Sequence, residues 1–122
     1  MPLGRRGEDI AERHLRRSGY RILERGFRTR FGEIDLVAEE SGEIVFVEVK
    51  TRRGPGFGEP EEAVDGRKRR RLARLAVAYR QRRGCGEQPC RFDVVAVLLG
   101  EGGRPERIRV VRDAFPADGS SD

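Results

Sequence analysis

Two segments in which apolar and polar residues alternate predict facing β-strands at residues 32–38 and 44–50. A tight turn at Ser41-Gly42 joins them as a hairpin, because glycine tolerates positive φ. Side chains alternate across a strand, so each strand has two faces. One predicted face carries the apolar pairs Ile34–Val49, Leu36–Val47 and Ala38–Val45. The other carries Glu33–Lys50, Asp35–Glu48 and Val37–Phe46. The first face belongs in a core, and the second brings two carboxylates together.

Two helices and three further strands are predicted around this hairpin. Helical spacing of apolar residues predicts helices from about Gly7 to Ser18 and from about Glu61 to Arg83. Strands are predicted at residues 20–27, 92–99 and 107–112, the second as a buried central strand and the third as a half-buried edge strand. Residues 51–60 are predicted to form a mobile loop. The acidic tail at 116–122 is predicted to be disordered, which leaves residues 1–115 as one domain.

Composition narrows the class of protein. The 122 residues are 39% charged and 36% hydrophobic, with a net charge of +5, which favours polyanionic partners. The longest apolar run, Val94 to Leu99, is too short to span a bilayer, and the N-terminal segment lacks the apolar stretch of a signal peptide. We therefore expect a cytoplasmic protein without a membrane partner.

One histidine and two cysteines supply too few ligands for zinc, so Cys85 and Cys90 are predicted to be reduced, with a disulfide or redox clip as the alternative.

The polar face of the hairpin predicts a divalent-metal site. Two carboxylates at cross-strand distance repel each other unless a cation lies between them, as for Asp35 and Glu48. Lys50 lies two residues beyond Glu48 on the same face, where a compact ammonium can hydrogen-bond an attacking water or a phosphate oxygen. Lys50 and Lys68 are the only lysines beside 24 arginines, which indicates a specific requirement. The alternative is that Lys50 only forms a surface ion pair with Glu33.

A third carboxylate is predicted to face the same interior. Glu8 lies three and seven residues before Ala11 and Leu15, so it shares the apolar face of the first helix. The alternative is that Glu8 only interacts favourably with the helix dipole in the first turn.

The second helix predicts a nucleic-acid interface. Its polar positions and the preceding loop carry arginines suited to phosphate contacts, namely Arg52, Arg53, Arg67, Arg69, Arg70, Arg71 and Arg74. The alternative is a solvated basic face without a partner.

The element order and the spacing D-x12-E-x-K across Asp35, Glu48 and Lys50 resemble the PD-(D/E)XK nuclease core. More closely, the chain resembles the YraN-type family of uncharacterised endonuclease-like proteins, which are similar to archaeal Holliday-junction resolvases. The matching stretches are residues 4–11, 32–38, 45–52, 63–64 with Lys68, 92–95 and 114–115. Ile34 replaces the proline of the PD signature.

This resemblance implies a fold and a set of site residues. The implied fold is a restriction-endonuclease-like α/β core of order α-β-β-β-α-β-β, with a central mixed sheet flanked by helices. Asp35 and Glu48 are implied to bind Mg²⁺ or Mn²⁺ together with the main-chain carbonyl of Val49. Glu8 is implied to support the metal or its water, and Lys50 to orient the nucleophile. Two further residues are expected to support the site, Glu33 and Lys68.

From the residues and the resemblance together we predict a metal-dependent endonuclease that hydrolyses DNA, with branched or recombination intermediates as the substrate class. One alternative is a non-catalytic nucleic-acid-binding module of the same fold, which uses the arginine helix. A second alternative is an RNA-processing enzyme. A homodimer remains an alternative to a monomer.

Overall fold

Five strands form one mixed sheet in chain order in the computed structural model, which describes residues 3–53 and 64–117. The elements are α1 (Leu3–Arg17), β1 (Arg21–Thr29), β2 (Gly32–Glu40), β3 (Glu43–Arg53), α2 (Gly66–Arg83), β4 (Cys90–Leu99), a single 3-10 turn (Glu101–Gly103) and β5 (Pro105–Phe115). Neighbouring strands are antiparallel except β3 and β4, which are parallel and joined through α2. The predicted α/β fold and element order are confirmed.

The helices cover opposite faces of this sheet. On one face, Leu75 and Tyr79 of α2 pack with Phe46 and Phe92, and the Phe46 and Tyr79 rings meet edge to face at 5.6 Å. On the other, α1 packs through residues such as Leu15 against apolar side chains of the inner strands. β4 is buried along most of its length, and β5 forms the half-buried edge, as predicted. No helix in the described part of the chain is long and apolar enough to cross a membrane.

Several predicted boundaries are corrected. β3 continues to Arg53, so the first residues of the predicted mobile loop are strand, whereas residues 54–63 lie outside the described part. α2 begins at Gly66 rather than near Glu61, because the Asp65 side chain accepts a hydrogen bond from the Lys68 N–H and caps the first turn. Residues 118–122 of the predicted disordered tail also lie outside the described part.

The predicted hairpin register is correct near the turn and wrong towards the other end. Pairing runs from Glu40–Glu43 to Leu36–Val47, where the β2–β3 ladder ends. Ile34 does not face Val49 but packs beneath α2, in the core that contains Phe27. The reason is that β2 keeps its pairing with β1 while β3 keeps its pairing with β4, so the two central strands separate.

We call this separation the fork, formed by residues 33–35 of β2 and 48–50 of β3. Within it, the Asp35 carboxylate accepts a hydrogen bond of 2.7 Å from the Val49 N–H. A side chain thus occupies the place that a main-chain carbonyl would take in a continuous ladder. The fork thus replaces the end of a regular sheet with a polar gap between β2 and β3.

A buried ionic network lies on the α1 face, nearer the β2–β3 turn. Asp93 is fully buried and accepts hydrogen bonds from the Tyr20 hydroxyl at 2.7 Å and from Arg91 Nε at 3.0 Å. Arg91 also reaches Glu43 at 2.8 Å and Glu40 at 2.9 Å. Burial, followed by the bond to Asp93, raises the pKa of Tyr20 to about 12, so its hydroxyl stays a donor at neutral pH. The network joins three strands through one guanidinium.

Candidate active site

The fork gathers carboxylates from a helix and two strands. Oxygen atoms of Glu8 from α1 and of Glu33 and Asp35 from β2 all lie within 4.8 Å of one another. Glu48 of β3 completes the group beside Asp35, and only 9% of it is exposed. The predicted interior position of Glu8 is confirmed by its partial burial in this group. Four acidic side chains from three separate elements thus lie together at the fork.

Burial and mutual repulsion make it unfavourable for all of these carboxyl groups to be ionised at once. Burial, and then the charge of Glu48, raises the pKa of Asp35 to about 8, although the Val49 N–H acts in the opposite direction. Burial also raises the pKa of Glu8, against the lowering influence of Arg25. Near neutral pH the site therefore takes up a proton or requires a cation.

Arg25 of β1 contacts the acidic residues that α1 contributes near the site. This role was not predicted from the sequence. Its Nη1 lies 2.6 Å from Asp9 Oδ1, and its Nε lies 3.5 Å from Glu8 Oε1. The contact with Asp9 fixes the guanidinium, which in turn limits the positions that Glu8 can take. A basic residue on a strand rich in arginine gives no sequence signal for this role.

The two lysines of the chain meet in the site. Lys68 of α2 places its Nζ 3.3 Å from Glu48 Oε2, and it lies against Lys50 of β3. Burial, and then the neighbouring Lys68, lowers the pKa of Lys50. The predicted opposition of Lys50 and Glu33 does not form, because the β2–β3 ladder ends at Leu36–Val47, and Glu33 pairs with Arg28 of β1 instead. The alternative in which Lys50 is only the cross-strand partner of Glu33 is therefore wrong.

The donor atoms in the fork suit a hard divalent cation. Carboxylate oxygens are the ligands that Mg²⁺ and Mn²⁺ prefer, and a cation would relieve the repulsion between Asp35 and Glu48. The bond from its N–H to Asp35 fixes the peptide of Val49 at the site, whereas a ligand role for its carbonyl stays a prediction. The residues present thus fit the predicted metal.

The arginines predicted to contact nucleic acid fall into two groups. Arg69 is half-buried, donates to the Val64 carbonyl at 2.9 Å and lies 5.1 Å from the Phe115 ring centroid, so it has contacts within the fold. The others are exposed along α2 and at the end of β3, namely Arg52, Arg53, Arg67, Arg70, Arg71 and Arg74. The exposed group thus lies on the two elements that carry Lys68 and Lys50.

Comparison with known proteins gives one consistent result. The family described as "Uncharacterised protein family UPF0102" matches residues 7–97, which include Glu8 and all other predicted site residues. A UPF0102 protein of Symbiobacterium thermophilum is 54% identical over 115 residues, covering 94% of this chain and 97% of the relative. One from Rhodococcus jostii is 50% identical with the same coverage of both chains. One from Moorella thermoacetica is 53% identical over 112 residues, covering 92% and 93%.

Proposed function

The chain belongs to the UPF0102 family, and from the chemistry of its site we propose that it is a metal-dependent endonuclease that hydrolyses phosphodiester bonds in DNA. The supporting observation is the fork, where Asp35 and Glu48 lie together beside Glu8 while both lysines of the chain converge on the same point. Excess negative charge there is suited to a cation, and the lysines are suited to an anionic substrate.

Each side chain has a distinct part in this proposal. Asp35 and Glu48 would hold Mg²⁺ or Mn²⁺, and Glu8 would be a further ligand or would accept a hydrogen bond from a water of the ion. The ion, when bound, supplies Lewis acidity and a water that is easily deprotonated. Lys68 pairs with Glu48 and keeps that carboxylate oriented. The Lys50 ammonium would position the attacking water or a non-bridging phosphate oxygen while the water oxygen bonds to phosphorus and the bond from phosphorus to the leaving oxygen breaks. Solvent would take up the proton that the attacking water releases and would supply the proton that the leaving oxygen gains.

The decisive experiment is cleavage of labelled linear, flap and four-way DNA, with a matched RNA, in Mn²⁺ and in chelator. We expect metal-dependent fragments from wild type and none from Glu48→Gln. If wild type binds DNA but cleaves no substrate, the chain is the non-catalytic binding module instead. If it cleaves only the RNA, it is an RNA-processing enzyme.

Asp35→Asn is expected to weaken Mn²⁺ binding at least tenfold in calorimetry, because it removes a charged ligand while keeping the side-chain oxygen that accepts from Val49. Exposed Glu87→Gln is the matched control and should bind the metal as wild type does. If wild type and Asp35→Asn bind Mn²⁺ equally, Asp35 is not a ligand.

The same variant should also be more stable than wild type without metal. Because the pKa of Asp35 is raised from 3.8 to about 8 in the fold, the folded state holds this proton more tightly than the unfolded state does. The contribution of the protonated Asp35 carboxyl to the free energy of unfolding is therefore fully present below pH 4 and is lost as the pH rises towards 8. In chelator at pH 8, we expect Asp35→Asn to raise the unfolding free energy by at most about 5 kcal/mol, since one unit of pKa corresponds to about 1.4 kcal/mol, and the difference should shrink towards pH 5. A lower stability of Asp35→Asn at both pH values would contradict this account.

Exposed arginines of α2 are expected to set the salt dependence of DNA binding. Each phosphate contact contributes a slope of about 0.9 in a plot of log affinity against log salt on duplex DNA. Replacing Arg67, Arg70 and Arg71 together by glutamine should reduce the slope by about two or more. The control is Arg112→Gln on β5, whose guanidinium already pairs with Glu40 at 2.7 Å. An unchanged slope in the triple variant would identify this surface as a solvated face only.

A further inference from the structure

Phe31 is an aromatic side chain left exposed among cations. Three large hydrophobic side chains are exposed in the described part of the chain, Leu23, Phe31 and Val77, and Phe31 alone of these is aromatic. It lies at the β1–β2 turn and is 39% exposed. The guanidinium carbon of Arg30 lies 5.0 Å from its ring centroid, and that of Arg74 lies 6.0 Å away. The ring is therefore held by cation–π contacts with an accessible apolar surface.

α2 connects this ring to the fork. Lys68 contacts Glu48 in the site, and one turn later the Arg71 side chain lies against Gly32, where a Cβ would be 3.4 Å from Arg71 Cδ. Arg74, a further turn along, reaches the Phe31 ring. Six residues of helix rise about 9 Å, roughly the length of three stacked nucleotides at about 3.4 Å each. Lys68, Arg71 and Arg74 thus form a basic edge that runs from the fork to Phe31, over the length of about three nucleotides.

We propose that Phe31 stacks on an unpaired base of the nucleic acid whose phosphates lie along Arg71 and Arg74. The inference rests on the proposed function and specifies its substrate: DNA with unpaired nucleotides next to the cleaved bond. Every base has a π-face, so an aromatic side chain beside a basic groove binds single strands with little sequence preference. In a continuous duplex the faces of the bases are stacked on one another and unavailable to Phe31.

Charge identifies nucleic acid rather than a protein partner as the occupant. Two arginine side chains lie over the ring, and their charge matches a polyanion, whereas charged residues are depleted at the centre of protein–protein interfaces. Exposing the apolar surface of an aromatic ring to water is unfavourable in free energy, and stacking on a base removes that surface from solvent. The ring is also presented on a tight turn between two paired strands, which holds it in place before binding.

The test measures binding in chelator, where cleavage does not occur. The 122-residue wild type, Phe31→Ala, Phe31→Tyr and Val77→Ala are titrated with gapped and fully paired DNA by anisotropy, with 2-aminopurine placed in the gap. Val77 is the control because it is an apolar side chain of α2 that is 56% exposed. We expect Phe31→Ala to weaken binding to gapped DNA about tenfold and to abolish the 2-aminopurine quenching, whereas duplex affinity changes less than about twofold. Phe31→Tyr should restore both signals, since it keeps the ring.

Salt dependence separates stacking from charge. Phe31→Ala should lower affinity for gapped DNA equally at every salt concentration, whereas Arg74→Gln should flatten the salt slope. Equal losses on gapped and duplex DNA, or no loss on either, would overturn the proposal. A change of oligomeric state in Phe31→Ala by sedimentation, without an effect on DNA, would assign the ring to a second copy of the chain and also overturn it.

The inference and the proposed function fail separately. If wild type cleaves DNA in Mn²⁺ but Phe31→Ala binds gapped DNA as wild type does, only the stacking inference is wrong. If Phe31 governs gapped-DNA binding but no substrate is cleaved, the stacking inference stands and the nuclease proposal is wrong.

Discussion

Lys50→Arg is expected to reduce DNA cleavage by about 100-fold or more while leaving folding, metal binding and DNA binding close to wild type. The substitution keeps the positive charge, but the planar guanidinium is larger than the ammonium and lies in a half-buried position against Lys68. A misplaced electrostatic contact loses most of its effect on the transition state. Single-turnover cleavage at saturating protein isolates this step, because it removes differences in DNA affinity.

The matched control is Arg52→Lys, which exchanges the same two residue types two positions further along β3, where the side chain is exposed. Cleavage by this variant should stay within about twofold of wild type. Near-normal cleavage by Lys50→Arg would falsify the catalytic assignment of Lys50.

Arg91→Met is expected to lower the free energy of unfolding by about 3–5 kcal/mol. It removes the only guanidinium that the described network places between Asp93, Glu40 and Glu43, so buried or half-buried carboxylates lose their partner. Asp93 is fully buried and carries the largest part of this loss. Urea unfolding at neutral pH measures the effect.

Arg112→Met provides the comparison, because Arg112 also pairs with Glu40 but its side chain is 58% exposed. An exposed pair contributes little, so the expected loss is below about 1 kcal/mol. Similar losses in both variants would mean that burial does not govern the contribution of this network. Cleavage per folded molecule should be unaffected in either variant, since the network lies outside the fork.

Alternation in the sequence was sufficient to predict the hairpin but not where its ladder ends. From Glu40–Glu43 to Leu36–Val47 the predicted pairs are the observed ones, because a slip by one residue would expose a whole apolar face. Ile34 is apolar and would be buried in either core, so its identity does not reveal that β2 turns it towards α2. The separation depends on packing between distant elements, which a local pattern does not encode.

In the site, too, the sequence predicted the residues that have a local pattern and missed those whose role depends on packing between distant elements. The proximity of Asp35 and Glu48 was predicted from the hairpin, and the rarity of lysine drew attention to Lys50. Lys68 was expected as a supporting residue from the resemblance, and it contacts Glu48. Arg25 gave no such signal, because it is one arginine among 24 and its role arises only when α1 packs beside β1. Phe31 was missed for a related reason: a single aromatic residue in a basic segment resembles a core residue until the fold shows it exposed.

The bond between Asp35 and the Val49 N–H has a consequence for protein engineering. The backbone anchors this carboxylate next to Glu48, so the negative charge cannot turn away to relieve repulsion. A random library sorted only for heat resistance in chelator should therefore enrich neutral substitutions at Asp35, because selection for stability and selection for cleavage act in opposite directions at that position. Thermostable variants of this protein are best sought with Mn²⁺ present, so that the selected fold is the one that holds the ion.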